Sequence, residues 1–245
     1  MATYNKRTSF QADGLSHHRR EFLKRSAIFG TLTGIAGFGL VTGCSKKDEE
    51  EISPIEDLMR EHGVLNRIML VYDNCRARLI SSEQFPPEAL YSAAQIIKTF
   101  IEEYHEKLEE DFLFPRFAKA DKLMALVQLL YIQHTTGRKI TDQILQLANS
   151  SSLKNTVDTQ KLIGLLTDFN RMYRPHEARE DTVLFPALRN IISKKEYYSL
   201  GEDFEKKEHE LFGEDGFETI VTRVENIEKQ LGINDLWQYT PTMPI

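Results

Sequence analysis

The sequence predicts an all-α protein, an antiparallel four-helix bundle with a two-helix C-terminal extension. Three observations lead there. Apolar residues recur at steps of three, four and seven instead of alternating. No segment combines strand alternation with paired turn signals. A long motif also occurs twice: "HEKLEEDFLFP", from His105, returns 71 residues later as "HEAREDTVLFP", from His176. A motif repeated at that interval implies two helical hairpins of one design, which close on each other with approximate two-fold symmetry.

Taken in order, residues 1–43 read as an export signal. "HHRREFLK" precedes the apolar run "RSAIFGTLTGIAGFGLVTGC". Arg19 and Arg20, with Phe22, Leu23 and Lys24, resemble a twin-arginine signal, and "VTGC" resembles the lipobox that precedes a lipid-modified cysteine. Cleavage before Cys44 would leave a lipidated amino terminus, anchoring the protein at the cell envelope, facing the periplasm or exterior, without crossing the bilayer. An uncleaved transmembrane helix is the alternative, since the run is close to the shortest span. Residues 44–52 are charged and aperiodic, a flexible tether.

The bundle is expected over 53–192. Ser53, Pro54 and Glu56 form a capping box with proline at the first helical position. The following stripe of Leu58, His62, Leu65, Met69, Tyr72 and Leu79 places His62 on the buried face. A second helix should start near Pro87 and end or kink at Pro115. A third should run from Asp121 to Asn149, with Leu123, Leu126, Leu130, His134, Ile140 and Ile144 on one side, and the "NSSSLKN" loop closes it. A fourth should span Asp158 to Ile192, kinked just before His176 by Pro175. In the extension, 193–245, "SKKE" caps a fifth helix to Phe212, "GEDGF" turns, and a sixth ends at Gly232. The tail should lie across the surface, anchored by Trp237.

Composition narrows the function. A net charge of −6, with no basic patch in the globular part, argues against nucleic acid as a partner. Two cysteines, Cys44 and Cys75, cannot build a disulfide framework or a thiolate metal site. Any metal must be held by His, Asp and Glu. Cys75 reads as a small core residue.

The repeat supplies such ligands. His62 precedes His105 by 43 residues and His134 precedes His176 by 42, so each half offers a lone histidine and then a histidine with a glutamate four positions on: His105 with Glu109, His176 with Glu180. Residues at i and i+4 share one helix face. Imidazoles and carboxylates sent into a core are costly unless metal ions satisfy them, and this donor set suits iron, manganese or zinc. Glu61, Glu106 and Glu177, adjacent to histidines, are expected to face solvent. Leu113, Phe114, Leu184 and Phe185 could wall the metal pocket, and Tyr72, Tyr104 and Tyr131 could bond near the metals or carry electrons.

The order H, HxxxE, H, HxxxE, with "LFP" after each HxxxE, resembles the hemerythrin and HHE cation-binding family over residues 54–190. The resemblance implies a four-helix bundle holding a non-haem di-iron centre. It makes His62, His105, His134 and His176 terminal ligands and Glu109 and Glu180 bridging carboxylates. Oxygen-carrying members have two histidines four apart on the third helix, whereas Leu130 stands here where the partner of His134 would be. They also place an aspartate five residues after the last histidine, the position of Asp181, although Glu180 better fits the internal repeat. His209, or its neighbour Glu208, could supply the missing ligand. The function implied is binding or sensing of dioxygen or a related small oxidant. The alternatives are a peroxide- or nitric oxide-reducing enzyme, and iron or divalent-cation storage or delivery. No redox partner is indicated.

Overall fold

The computed structural model describes residues 52–242. Arg19, Arg20, Cys44 and the expected signal and anchor lie outside the described residues. Six helices account for the fold. α1, Pro54–Ser81, begins where the Ser53 side chain accepts the backbone N–H of Glu56, and it ends at Ser82 in the left-handed conformation. α2 is one long rod made of Pro87–Ile96, Ile97–His105, Glu106–Leu108, Glu109–Leu113 and Phe114–Ala120. α3 is Met124–Leu147, and α4 joins Thr156–Arg179, Glu180–Leu184 and Phe185–Leu188. α5, Lys194–Phe212, is capped by Ser193, and α6, Gly216–Leu231, stops at Gly232 with φ of 69°. No strand occurs among the described residues.

The first four helices form a ring, α1 against α2 and α4, and α3 against α2 and α4. The extension lies outside it, with α5 on α1 and α6 on α1 and the start of α2. The core is filled by residues such as Leu58, Ile68, Tyr72, Phe100, Phe117, Leu162, Phe169 and Phe185. Cys75 is buried in it. A bidentate pair from Arg67 to Glu228, 2.8 and 2.6 Å, ties α6 to α1.

Several expectations change. Pro115 does not end α2. In Glu109–Leu113 the backbone takes the wider π-helical turn, so the N–H of Phe114 bonds back five residues to Glu109. The hydrogen-bond ladder is already slipping when the proline, which has no N–H to offer, arrives. Glu180–Leu184 repeats the device before Pro186, with Phe185 bonding back to Glu180. The repeated "LFP" therefore marks the return from a π turn that starts at each motif glutamate. Pro175 lies within the helix Thr156–Arg179, which continues across it. Leu123 is 36% exposed and sits in the left-handed region before α3 begins, so it is not part of the buried stripe. Trp237, 79% exposed, anchors nothing. No helix among the described residues is long and apolar enough to cross a membrane.

Candidate metal centre

Each of the four core helices sends a histidine inward, and α2 and α4 each add a glutamate. His62, His105, His134, His176, Glu109 and Glu180 are all 4% exposed or less. Their ligand atoms fall into two groups that share one carboxylate. His62 and His105 stand with Glu109, and His134 and His176 with Glu109 and Glu180, the donors of each group lying within 4.8 Å of one another. Ring centroids are 4.8 Å apart in the first pair and 4.9 Å in the second.

Both carboxylates divide their oxygens between the pairs. Glu109 Oε1 is 4.0 Å from His105 Nε2, and its Oε2 is 3.4 Å from His134 Nε2. Glu180 Oε2 is 3.4 Å from His62 Nε2, and its Oε1 is 3.0 Å from His176 Nε2. All four of these oxygens, and His62 Nε2, are buried without a hydrogen-bond partner. Orphaned buried polar atoms are rare in proteins, and here they converge on one point. A cation bound among them would satisfy them all, so the residues fit a metal.

The outer nitrogens are held too. His62 Nδ1 donates to Asp181 at 2.8 Å, His105 Nδ1 to Glu61 at 2.7 Å, His134 Nδ1 to Glu110 at 3.1 Å and His176 Nδ1 to Gln133 at 2.9 Å. Because each partner is an acceptor, a bound cation would leave the proton on Nδ1 and turn each Nε2 lone pair to the centre; without one, His134 Nε2 and His176 Nε2 lie 3.2 Å apart and share a proton. Phe185 stacks on His62 and Phe114 on His134, at interplanar angles of 17° and 18°, and Leu113 and Leu184 are fully buried. Of the two "LF" pairs, the phenylalanines lie against the centre's histidines.

Without a cation, protons must balance the charge. Burial and the nearby Glu180 push Glu109 up to about 8. Burial opposes charging of His134, but Glu106, Glu109 and Glu110 raise it to about 10. Glu180, although burial raises it, is held well below the usual carboxylate range by His176 and His62.

Three expected solvent-facing residues are instead buried supports. Glu61 and Glu106 are each 1% exposed and Glu177 is 6%. Glu61 holds His105, Glu177 meets Asn66, and Glu106 accepts the Tyr173 hydroxyl at 2.7 Å and pairs with Arg138 at 2.7 Å. Arg138 also reaches Glu110, which holds His134. A helix surface shared with a neighbouring helix is not solvent, so the 100° offset that points these acids away from the centre points them into the next seam. Tyr173, edge-on to His176, takes the place expected of Tyr131, which is 52% exposed. Gly137 makes room for it: a Cβ there would stand 1.9 Å from the Tyr173 hydroxyl. Asp181 serves as an anchor for His62 and Glu180 as the inward carboxylate. His209 is exposed and joins neither group, while Glu208 is buried but lies with Asp57 and Glu61, apart from the centre.

The anchors lie in the repeat itself: Glu61 and Gln133 each precede the lone histidine, and Glu110 and Asp181 each follow the motif glutamate. Asp181 is singled out by the family pattern, and extending the motif by one residue on each side adds Glu61, Gln133 and Glu110.

Residues 53–188 match the hemerythrin HHE cation binding domain. The chain belongs to this family. It is 45% identical over 196 residues to the uncharacterized proteins Rv1995 of Mycobacterium tuberculosis (strain H37Rv) and Mb2018 of Mycobacterium bovis, covering 80% of this chain and 77% of each of them. No solved structure matches. As a hemerythrin HHE domain the bundle is a cation-binding unit, and the convergent His and Glu donors are where a cation would sit.

Proposed function

We propose that this hemerythrin-type protein is an exported, lipid-anchored, non-haem di-iron protein that binds dioxygen or a related small oxidant. The observation that supports the reading is the pair of half-sites sharing Glu109 and Glu180, each with two Nε2 donors. Manganese or zinc could occupy the same donors, but iron in such a site supplies both redox chemistry and an exchangeable coordination position. His62 and His105 would hold one ion and His134 and His176 the other, with Glu109 and Glu180 between the two pairs. The protein's own residues fix the imidazole tautomers through Asp181, Glu61, Glu110 and Gln133, and exclude water with Phe114 and Phe185. A groove of about 580 Å³ is lined by Glu110, Phe114, Val127 and Ile132, and two of these residues, Glu110 and Phe114, also contact His134.

A second reading, reduction of peroxide or nitric oxide, is favoured by Tyr173. Its ring is edge-on to His176 and its hydroxyl donates to Glu106, a proton-bearing group beside the centre, and Leu130 stands where oxygen-carrying relatives have an additional histidine. Iron storage or delivery is the third. The test is to measure iron per chain and record the visible spectrum of the reduced protein before and after oxygen. A band that appears with oxygen and disappears on its removal supports oxygen binding. Irreversible oxidation with peroxide turnover supports the enzyme, stable iron with neither response supports storage, and no bound metal overturns all three. The anchor rests on Arg19, Arg20 and "VTGC"; Cys44→Ala should release the protein from membranes.

A further inference from the structure

The end of the bundle at which α1 begins differs in charge from the chain as a whole. Residues 114–123, which close α2 and turn into α3, and residues 186–198, which join α4 to α5, hold six cations against two acids, whereas the whole chain carries −6. The six are Arg116, Lys119, Lys122, Arg189, Lys194 and Lys195. Arg116 Nε lies 3.0 Å from Glu196 Oε1, which brings the two segments side by side. The other five residues are exposed, and Arg116 alone of the six is paired with an acid among the described residues.

This end also projects. Pro54, where α1 starts, stands beside Gly201, since a Cβ there would be 3.6 Å from the proline Cδ. Asp57 and Glu61 meet Glu208 further along, so α1 and α5 run the same way. The seven residues of α5 before Gly201 therefore extend about 10 Å past the start of α1. α2 runs the opposite way, with His105 Nδ1 bonded to Glu61, and it carries Arg116 out to Glu196 near the start of α5. Apolar side chains lie next to the cations. Tyr198 is 63% exposed and Leu123 36%, and the groove between α2 and α3 adds Tyr131 and Ile132 at 52% and 59%. Lysines and arginines beside exposed tyrosine and aliphatic side chains match an anionic lipid surface, which offers phosphates to the first and an interface to the second.

We propose that this end of the bundle docks on an anionic bilayer surface, through Lys119, Lys122, Lys194 and Lys195 and the apolar side chains next to them. The proposal rests in part on the anchored reading. A lipid on Cys44, eight residues before Ile52, keeps the start of α1 within about 28 Å of the membrane even with the tether drawn straight. The basic end is the end held there.

Lysine acetylation mapped by mass spectrometry tests this on the full chain, bound to vesicles of phosphatidylcholine alone or mixed with phosphatidylglycerol. On the mixed vesicles Lys119, Lys122, Lys194 and Lys195 should label more slowly by about 5-fold or more, while Lys139, Lys161 and Lys206, exposed elsewhere, keep their rates. High salt should remove the protection. Lys119→Gln with Lys122→Gln removes two cations, each worth about five-fold at an anionic surface, so it should abolish most of the protection at Lys194 and Lys195. Trp237, the single tryptophan, follows α6 at the opposite end, where Arg78 bonds to the Leu231 carbonyl, and its emission should not shift. Equal labelling rates on the two kinds of vesicle, or a blue shift of Trp237 on binding, would overturn the proposal. Slow labelling without lipid would also overturn it, giving the face to a second copy if it grows with protein concentration and to the chain's own acids at 48–51 if it does not. The anchor is read separately. If it fails, wild type and Cys44→Ala sediment alike with phosphatidylcholine vesicles, and the labelling is then taken on the fraction that the mixed vesicles retain; no retention there overturns the docking as well.

Discussion

Replacing Glu102 with glutamine is expected to stabilise the cation-free protein by about 3 kcal/mol at pH 8 and by less than about 1 kcal/mol at pH 5. Glu102 is 1% exposed and neither carboxylate oxygen makes a hydrogen bond. Its nearest cation, Lys98, stands 3.3 Å from Oε2 and is shared with Asp142 at 2.9 Å. Burial raises the carboxyl from 4.5 to about 7, Thr141 and Lys98 pulling it down and Glu106 pushing it up. Because the folded state holds the proton more tightly than the unfolded chain, the stability it contributes is complete below pH 4.5 and is lost as pH rises through 7. Each unit is worth about 1.4 kcal/mol, which gives the figure for pH 8. Glutamine keeps the shape and has no charge to acquire, and Lys98 retains Asp142. At roughly 2–4 °C per kcal/mol for a domain of this size, the variant should melt roughly 6–12 °C above the wild type at pH 8. Thermal unfolding followed by circular dichroism in chelator, at both pH values, measures this. A variant that melts below the wild type at pH 8, or by the same margin at both pH values, would refute the claim that burial of this charge costs stability.

Other substitutions probe the centre. Gly137→Ala forces a methyl to 1.9 Å from the Tyr173 hydroxyl, so it should cost about 1–3 kcal/mol or more, and Tyr173→Leu in the same chain should recover part of the lost melting temperature. His134→Ala should strip metal from its half-site, seen as a fall in bound iron by elemental analysis, whereas His209→Ala, on an exposed position, should leave the content unchanged. Cation loading must displace the protons that Glu109 holds up to about 8 and His134 up to about 10. Affinity should therefore rise between pH 6 and pH 9, with net proton release detectable by calorimetry in buffers of different ionisation enthalpy; binding without release would contradict the protonation described. Gln133→Glu restores the carboxylate found behind the other three histidines, and should tighten metal binding at the half-site of His176.

The sequence by itself determined the helix count, the caps at Ser53 and Ser193, the hairpin symmetry and the six inward donors. All of these follow from local chemistry or from spacing along a helix, and a repeat at fixed interval carries them through any packing. What the tertiary structure decided is which atoms meet across helices. Periodicity places Glu61, Glu106 and Glu177 off the central stripe but does not say that a neighbouring helix covers that side, so acids that read as solvent-facing became the anchors and struts of the centre. Tyr173 is significant only because Gly137, on another helix, leaves space for its hydroxyl beside Glu106. His209 and Glu208 are sequence neighbours on α5, and the docking angle of that helix alone buried Glu208 and left His209 in solvent. Pairings between residues more than a hundred positions apart, such as His62 with Asp181, depend on how whole helices pack, which no single segment encodes.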